Sequence, residues 1–318
     1  MEFLTALFAD VQLWLFETLL QPLMFTLGLA SRLDAGFDAT GWLLVGLLQL
    51  ALMLLVIGPL QWWRPVEAVT DRRAIRADIV YTLIHRLGLF RVFLFFALDP
   101  VFDVVWGHLR TLGVPTLHLD DLWPGVTDHA WVSLLIYLVV FDFLNYAIHR
   151  AQHSFNWWWS LHSLHHSQRQ MTMWTDNRNH FLDDVLRDVV TVVFAQLIGI
   201  PPGQFVAVIA FTQLCENFQH ANVRIWFGTW GERLWISPRF HRVHHSIGIG
   251  HESHGRQTLG GHNFGVLLPW WDMLFNTADF ERKFEPTGIR DQVEQGIDYG
   301  RGVWAQQRLG MRRLWKSL

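Results

Sequence analysis

Histidine side chains fall into tight groups in this chain of 318 residues, and their spacing is typical of metal ligands. Two segments share the pattern H-x2-H-H, and their histidines are His162, His165 and His166 in one and His241, His244 and His245 in the other. On an α-helix, residues three and four positions apart lie on one face. Three imidazole nitrogens from one such segment can therefore face one metal ion or be shared between two.

A third group of polar residues ends an apolar stretch. Asp142, Tyr146, His149 and His153 are spaced by four, three and four residues, which places them along one helical face. We expect His149 and His153 to bind metal, and Asp142 and Tyr146 to form hydrogen bonds that orient a ligand imidazole. The alternative is a polar helix face that is buried against another helix.

His220 follows another apolar stretch, and Glu216 precedes it by one helical turn. We predict that His220 binds metal, with a hydrogen-bonded core histidine as the alternative, and that Glu216 is either a ligand or a hydrogen-bond partner. Nine imidazoles exceed the roughly four to six ligands of one ion, so two metal ions are predicted. The predicted ligands are His149, His153, His162, His165, His166, His220, His241, His244, His245 and Glu216.

The composition limits which elements can carry these groups. Hydrophobic residues make up 51% of the chain, charged residues only 17%, and the formal net charge is −3. These values argue against a disordered chain and a nucleic-acid-binding protein, and they favour a polytopic membrane protein. The single cysteine, Cys215, excludes an internal disulfide and any site that needs several thiolates. Imidazole binds Fe, Zn, Cu and Ni, so the donor type alone leaves the metal open.

Apolar windows of about 20 residues can cross a bilayer as helices. Four windows qualify, and they are 11–30, 41–60, 79–98 and 129–148. Two shorter apolar stretches, 188–200 and 204–215, flank the breaker that begins at Pro201. Because neither is long enough to span, they predict a re-entrant or interfacial helical hairpin.

Arginines are concentrated in segment 61–78, so the positive-inside rule places this segment and the histidine groups in the cytoplasm of a bacterial inner-membrane protein. We expect an all-α integral membrane protein with about four transmembrane helices, the short hairpin, and a cytoplasmic helical cap that carries the histidine motifs. Its expected parts, within one structural unit, are a transmembrane anchor (1–128), a catalytic region (129–280) and a solvated cytoplasmic tail (281–318). The tail is expected to end in a basic amphipathic helix around residues 308–315, near anionic headgroups.

In their order, these motifs resemble the membrane fatty acid hydroxylase/sterol desaturase superfamily. The matching segments are Asp142 to His153, His162 to Ser167, Arg178 with His180, Gln219 to Asn222, His241 to His245, Asn263 to Gly265, and Trp271 to Thr277. The resemblance covers roughly residues 129–277, about half of the chain. Phe181 stands where a proline is usual, and His262 stands where an acidic or small polar residue is commoner. These departures leave open whether His180 and His262 lie near metal.

The resemblance implies two iron ions that use O2 to oxidise an unactivated C–H bond of a membrane lipid. Hydroxylation is the expected outcome, and desaturation of a sterol or fatty acyl lipid by the same site is the alternative. Hydrogen-bonding roles around the metal are expected for Asp142, Tyr146, His180, Asn222 and Asn263. Zinc can replace iron in purified material, and His251 and His254 are expected to be solvated loop residues.

Activation of O2 in this way consumes two electrons, which the chain must receive from elsewhere. The glycine-rich segment 248–255 has the wrong spacing for a dinucleotide fingerprint, and the sequence has no haem-attachment motif. We therefore expect a separate electron donor, such as a ferredoxin, a cytochrome or a reductase, and no nucleic-acid partner.

Two other functional classes use histidine-rich sites. A metal transporter would hold its ligands near the bilayer midplane, whereas the histidine motifs lie outside the apolar windows or at the end of one. A zinc-dependent membrane hydrolase would need a general-base carboxylate beside its ligands, as in H-E-x-x-H, which is absent from the sequence.

Overall fold

The computed structural model describes residues 2–90, 94, 98–115, 117–125, 127–247 and 261–318. Within these residues the chain is helical and its one β-interaction is the bridge between Ser246 and Thr287, so the all-α prediction is confirmed. The α-helices are α1 (Glu2–Leu15), α2 (Gln21–Thr26), α3 (Leu33–Leu52), α4 (Gly58–Trp63), α5 (Arg72–Arg86), α6 (Asp99–Thr111), α7 (Ala130–Ser154), α8 (Asn156–His166), α9 (Phe181–Ile198), α10 (Pro202–Gln219), α11 (Gly228–Gly231), α12 (Pro238–His244), α13 (Trp270–Leu274), α14 (Arg290–Glu294) and α15 (Val303–Ser317).

The chain divides into two compact units. One unit contains Met1–Leu52 with Leu83–Gly113, and the other contains Met53–Thr82 with Val114–Leu318. The C-terminal residues belong to the same unit as all the histidine motifs. That second unit carries the candidate site.

Two helices are long and apolar enough to cross a bilayer. They are the continuous helical segment Ala30–Trp63, which has 34 residues, and α7, which has 25 residues. Only 22% and 33% of their most apolar windows are buried, whereas the core helix of a soluble protein is mostly buried. The segment Ala30–Trp63 contains the predicted window 41–60. Helix α7 contains the predicted window 129–148 except for residue 129.

Among the described residues, the other two predicted windows do not lie in helices that are both long and apolar enough to cross a bilayer. In window 11–30 the continuous helical segment that begins at Glu2 ends at Thr26, before Gly28, which adopts a left-handed conformation with φ of 70°. In window 79–98, α5 ends at Arg86 and Gly88 has φ of 75°, while residues 91–93 and 95–97 lie outside the described part. Hydropathy alone did not detect these turns.

The short apolar stretches form a helical hairpin of α9 and α10. Gly199, with φ of 64°, ends α9, and Pro202 is the first residue of α10, where its missing N–H is not needed. Both helices have 18 residues and are longer than the stretches 188–200 and 204–215, since their polar ends continue toward the histidines. The apolar faces pack on α7 in a core of Tyr137, Phe141, Ala195, Ile198 and Val208.

The C-terminal segment is attached to the histidine-bearing region. Arg313 on α15 donates from Nε to the carbonyl oxygen of Ser160 on α8 at 3.2 Å. A Cβ at Gly310 would lie 2.3 Å from a ring carbon of His180, so only glycine permits this close approach. Segment 281–318 is therefore not the solvated tail that we expected, because one face of its last helix is packed on α8.

Candidate metal centre

Nine histidines converge in the interior of the second unit, and each is at most 8% exposed. Their ring nitrogens form three groups in which all ligand atoms lie within 4.8 Å of one another. The groups are His149, His153, His162 and His166; His165, His220, His241 and His245; and His166, His244 and His245. Two four-histidine groups are thus joined through a third.

Helices α7 and α8 supply the first group. His149 and His153 lie in the last turns of α7, and α8 adds His162 and His166 after a break in the helix at Phe155. The Nε2 atoms of His153 and His166 are 3.1 Å apart. The i, i+4 spacing within each helix therefore brings both pairs to one point.

Helices α8, α10 and α12 supply the second group. His220 directly follows α10, and its Nε2 lies 3.1 Å from Nε2 of His165 and 2.9 Å from Nε2 of His241. Nε2 of His245 lies 3.2 Å from Nε2 of His241. In each H-x2-H-H motif the three histidines are shared between groups, which was one of the two expected arrangements.

The ring orientations are fixed by acceptors on the outer side of the centre. Nδ1 of His149 donates to the carbonyl of Phe264 at 2.9 Å, and Nδ1 of His244 donates to that of His262 at 2.7 Å. Nδ1 of His220 donates to the carbonyl of Glu216 at 2.7 Å. Because a carbonyl only accepts, these Nδ1 atoms carry the proton, and Nε2 presents its lone pair to the centre.

Asp183 provides the carboxylate of this outer layer, and sequence reasoning missed it. Its Oδ2 accepts from Nδ1 of His162 at 3.1 Å, and its Oδ1 accepts from Gln152 and Trp158, both at 2.7 Å. Burial alone would raise the pKa of Asp183, but the hydrogen bond from His162, aided by the charge of Arg187 and the hydrogen bond from Gln152, lowers it. Asp183 therefore remains ionised. A carboxylate in the first turn of α9, three residues after His180, was the available signal.

The nitrogens fit metal ions. Two nitrogens bound about 2.0–2.1 Å from one ion lie roughly 3 Å apart, close to the separations above. Among the residues that the structure describes, the buried Nε2 atoms of His149, His162 and His244 have no hydrogen-bond partner, which is costly unless a metal accepts their lone pairs.

The electrostatics favour the same state. Burial, followed by the neighbouring imidazoles, holds the pKa of His165, His166, His241 and His245 well below its usual range. Burial lowers the pKa of His244 to about 3. Neutral imidazole is the form that binds metal, so the site is prepared for cations near neutral pH.

A small polar cavity of about 30 Å³ adjoins both four-histidine groups. Its wall contains His149, His162, His165, His220 and His241 together with polar groups from α7, α9 and α10. Such a volume holds about one or two water-sized molecules. It offers a place for a small molecule beside the histidines.

Three predicted hydrogen-bond partners act on the protein backbone instead of on a ligand ring. Asp142 accepts from the N–H groups of Leu267 and Leu268 at 2.7 and 3.1 Å and from the Trp271 indole at 3.0 Å. Asn263 donates to the carbonyls of Phe240 and Asp279, both at 3.0 Å. Asn222 accepts from the N–H groups of Val66 and Glu67 at 3.1 and 3.2 Å. These side chains fix loops that lie around the centre.

Tyr146 and His180 also lie outside the layer that contacts the ligands. The Tyr146 hydroxyl contacts Oγ1 of Thr277 and receives a hydrogen bond from Arg150, both at 3.1 Å. His180 caps α9 by accepting from the N–H of Leu182 at 3.2 Å, and its Nε2 donates to the carbonyl of Gln307 at 2.9 Å. With both ring nitrogens occupied, His180 has no lone pair for a metal.

The other residues whose contact with metal the sequence left undecided, Glu216 and His262, are not members of the histidine groups. Glu216 lines the small cavity, and its carboxylate lies 3.8 Å from Arg187 rather than within a histidine group. His262 contributes its backbone carbonyl to His244. His251 and His254 lie outside the described residues.

Comparisons with known proteins agree with this centre. Residues 134–277, which contain every histidine of the groups, match the fatty acid hydroxylase family. The chain is 28% identical over 187 residues to an alkylglycerol monooxygenase of Caenorhabditis elegans, covering 58% of this chain and 32% of that protein. It is 28% identical over 223 residues to the ornithine lipid hydroxylase OlsE of Rhizobium tropici, covering 69% of this chain and 62% of that protein.

A third relative is a Delta(7)-sterol 5(6)-desaturase of Gibberella zeae, 27% identical over 128 residues, or 39% of each chain. The matches span less than two thirds of the length of each of these relatives. No solved structure shows significant similarity to the chain. Because the match to the fatty acid hydroxylase family includes all nine converging histidines, the comparisons support the resemblance to the fatty acid hydroxylase/sterol desaturase superfamily.

Proposed function

We propose that the protein catalyses the O2-dependent hydroxylation of an unactivated C–H bond in a membrane lipid, with two iron ions bound by the nine histidines. The observation that carries this proposal is the pair of buried four-histidine groups joined by His166, His244 and His245. One ion would not use nine imidazoles, and joined groups suit two ions that act together.

The chain's own residues orient the ligands and keep the centre dry. Asp183 and the carbonyl oxygens of Glu216, His262 and Phe264 hold the Nδ1 protons, so each Nε2 is directed inward. Bound iron would supply the redox chemistry that activates O2. The protein's contribution is a fixed, water-poor cavity in which O2 and a lipid C–H group meet.

The lipid would enter from the bilayer beside the hairpin. Helices α7, α9 and α10 carry apolar residues along most of their length. Helix α7 ends one residue after His153, α9 begins directly after His180, and α10 ends directly before His220. One end of this three-helix layer is therefore apolar and the other carries the centre. In this proposal the centre lies at the cytoplasmic face of a bacterial inner membrane, beyond the candidate spans.

Electrons would come from a separate protein. Cys215 is the single cysteine of the chain, and burial raises the pKa of its thiol to about 12. It is therefore not a redox-active thiolate. A ferredoxin, a cytochrome or a reductase must deliver the two electrons of each turnover.

The test combines lipid analysis with metal analysis. Cells that express the protein are expected to contain one lipid class shifted by +16 mass units, and His244→Ala is expected to abolish this shift. The matched control is His108→Ala, because His108 is exposed on α6 and belongs to none of the histidine groups. Protein purified without oxygen should contain about two irons per chain. Full activity of His244→Ala, or activity without iron, would refute the proposal.

Desaturation at the same centre is the second candidate, and the similarity to a sterol desaturase favours it. Removal of two hydrogens lowers the mass of the lipid by two units instead of raising it. The same lipid analysis therefore separates the two reactions.

A further inference from the structure

A second cavity, of about 350 Å³, lies next to the ligand-bearing helix α8 and contains no histidine in its wall. Ser167 and Gln168, the residues that follow His166, form one side, and Gln292, Tyr299 and Gln306 form another. This volume is within the range of small-molecule sites. None of these groups has a part in the metal centre described above.

Three arginines give the cavity an exposed positive side. Arg73, Arg169 and Arg301 line it, and none of them forms an ion pair with any residue that the structure describes. A fourth arginine, Arg178, is buried, and its guanidinium is paired with Asp78 at 2.7 Å. The three exposed arginines are therefore free to bind a phosphate or a carboxylate.

The cavity wall also contains buried hydrogen-bond acceptors, which need a donor group on the ligand. Nε2 of Gln292 donates to the Ser167 carbonyl at 3.1 Å, and Nε2 of Gln306 donates to the Gly300 carbonyl at 3.2 Å. Because carbonyls accept only from the amide nitrogen, Oε1 is the atom left over in each glutamine. Both Oε1 atoms are buried and have no hydrogen-bond partner in the described part of the chain. Gln306 is only 2% exposed. Buried acceptors of this kind require a donor.

Two carboxylates provide further acceptors for a donor group of the ligand. Asp71 and Asp298 line the cavity and are exposed. Each uses Oδ1 in a local turn, accepting from Ala74 at 2.9 Å and from Gly300 at 2.8 Å. Their second oxygens can receive N–H groups of a ligand. The wall therefore combines free cations with free acceptors.

We propose that this cavity binds a zwitterionic headgroup, whose phosphate or carboxylate faces Arg73, Arg169 and Arg301 and whose ammonium faces Gln292 and Gln306. A simple anion would leave the buried acceptors unpaired, and a simple cation would leave the arginines unpaired. The source that we assign is a membrane lipid. That this lipid belongs to the oxidised class rests on the function proposed above, whereas the binding chemistry does not.

Calorimetry of the full chain in detergent tests the chemistry, with soluble glycerophosphoethanolamine as the probe. We expect it to bind about tenfold or more tightly than glycerol 3-phosphate, which lacks the amine, or ethanolamine, which lacks the anion. The double variant R169A/R301A should weaken the probe and glycerol 3-phosphate alike. Gln306→Leu should weaken the probe but leave the affinity for glycerol 3-phosphate unchanged. Gln292→Met, at a less buried position, repeats this test if Gln306→Leu does not fold.

Arg308→Ala is the matched control, because Arg308 is exposed on α15 and does not line the cavity. Its affinity for the probe should equal that of the wild type. Equal affinities for the probe and glycerol 3-phosphate would overturn the proposal, and so would an unchanged affinity in R169A/R301A. Displacement of the probe by an acidic ferredoxin would also overturn it, because the arginines would then dock the electron donor.

Short-chain phosphatidylethanolamine distinguishes the two sources of the zwitterion. If the ligand is a lipid, dihexanoyl phosphatidylethanolamine should bind more tightly than glycerophosphoethanolamine; equal affinities would overturn the lipid source and assign a soluble zwitterion. All binding is measured on metal-free and iron-loaded protein. Selective binding without any lipid oxidation would refute the proposed function and leave this site standing.

Discussion

Asp183→Asn is the sharpest perturbation of the metal centre, because it changes one atom and one charge without changing the volume. Oδ1 of Asp183 already accepts from Gln152 and Trp158, so the asparagine oxygen must remain there. The new amide then points its N–H toward Nδ1 of His162. Two donors cannot face each other, so His162 must move its proton to Nε2 and lose the lone pair that faces the centre.

The expected loss of metal affinity can be worked out in two ways. Loss of an outer hydrogen-bond partner typically weakens metal binding by about 10–100-fold, which corresponds to about 1.4–2.7 kcal/mol. A hydrogen bond to a charged group contributes about 1.5–3 kcal/mol. The ranges agree because the same contact, between His162 and Asp183 at 3.1 Å, carries both effects. Only the group with His149, His153 and His166 should be affected.

Chelator competition with Fe2+ under anaerobic conditions measures this loss site by site. The variant should show one weakened site and one unchanged site, with activity reduced in proportion to the lost occupancy. Asp184→Asn, the same substitution at the next residue of α9, serves as the control. Two sites of wild-type affinity in Asp183→Asn would show that the His162 tautomer is not set by Asp183.

Three further outcomes are expected. Asp142→Asn should reduce stability by about 1–3 kcal/mol, because the N–H of Leu267 or Leu268 loses its acceptor, and an unchanged Tm would contradict this. Gly310→Ala should loosen α15 by about 1–3 kcal/mol through its clash with the His180 ring and expose that helix to proteases, whereas Met311→Ala on the exposed face should not. Burial raises the pKa of Asp272 from 3.8 to about 6, so the folded protein holds this proton more tightly than the unfolded chain does. The stability contribution of this carboxyl should therefore decrease as the pH rises through that window, and denaturation of Asp272→Asn should lack this component.

The positions of the nine histidines were accessible to sequence reasoning because helical spacing is local. His149 and His153, like His162 and His166, are one turn apart, so the pattern itself predicts a shared face. Their outer partners were not accessible in the same way. Asp183 is 21 residues from His162, and the contact arises only once α9 packs beside α8.

The predicted membrane spans show a related limit of reasoning from sequence. Hydropathy found both described helices that are long and apolar enough to cross a bilayer, but it also extended windows through Gly28 and Gly88. A left-handed glycine ends a helix whether or not the flanking residues are apolar. Conversely, α15 was expected as a surface helix near anionic headgroups because of its basic residues, whereas Gly310 and Arg313 attach it to the region around His180 and Ser160.

Segment 261–277 explains why Asp142 and Asp272 influence the ligand histidines without contacting them. Its carbonyls at His262 and Phe264 orient His244 and His149, which belong to different helices. Asp272 holds this segment by accepting from the N–H groups of Phe264 and Gly265 at 2.9 and 2.7 Å. Two histidines on one helix are brought to the centre by their spacing along that helix. Two rings from different helices keep their relative angle only if the same segment orients both of them. Side chains such as Asp142 and Asp272 therefore act through the backbone that they position, and a substitution there should alter the angle between ligands before it removes a ligand.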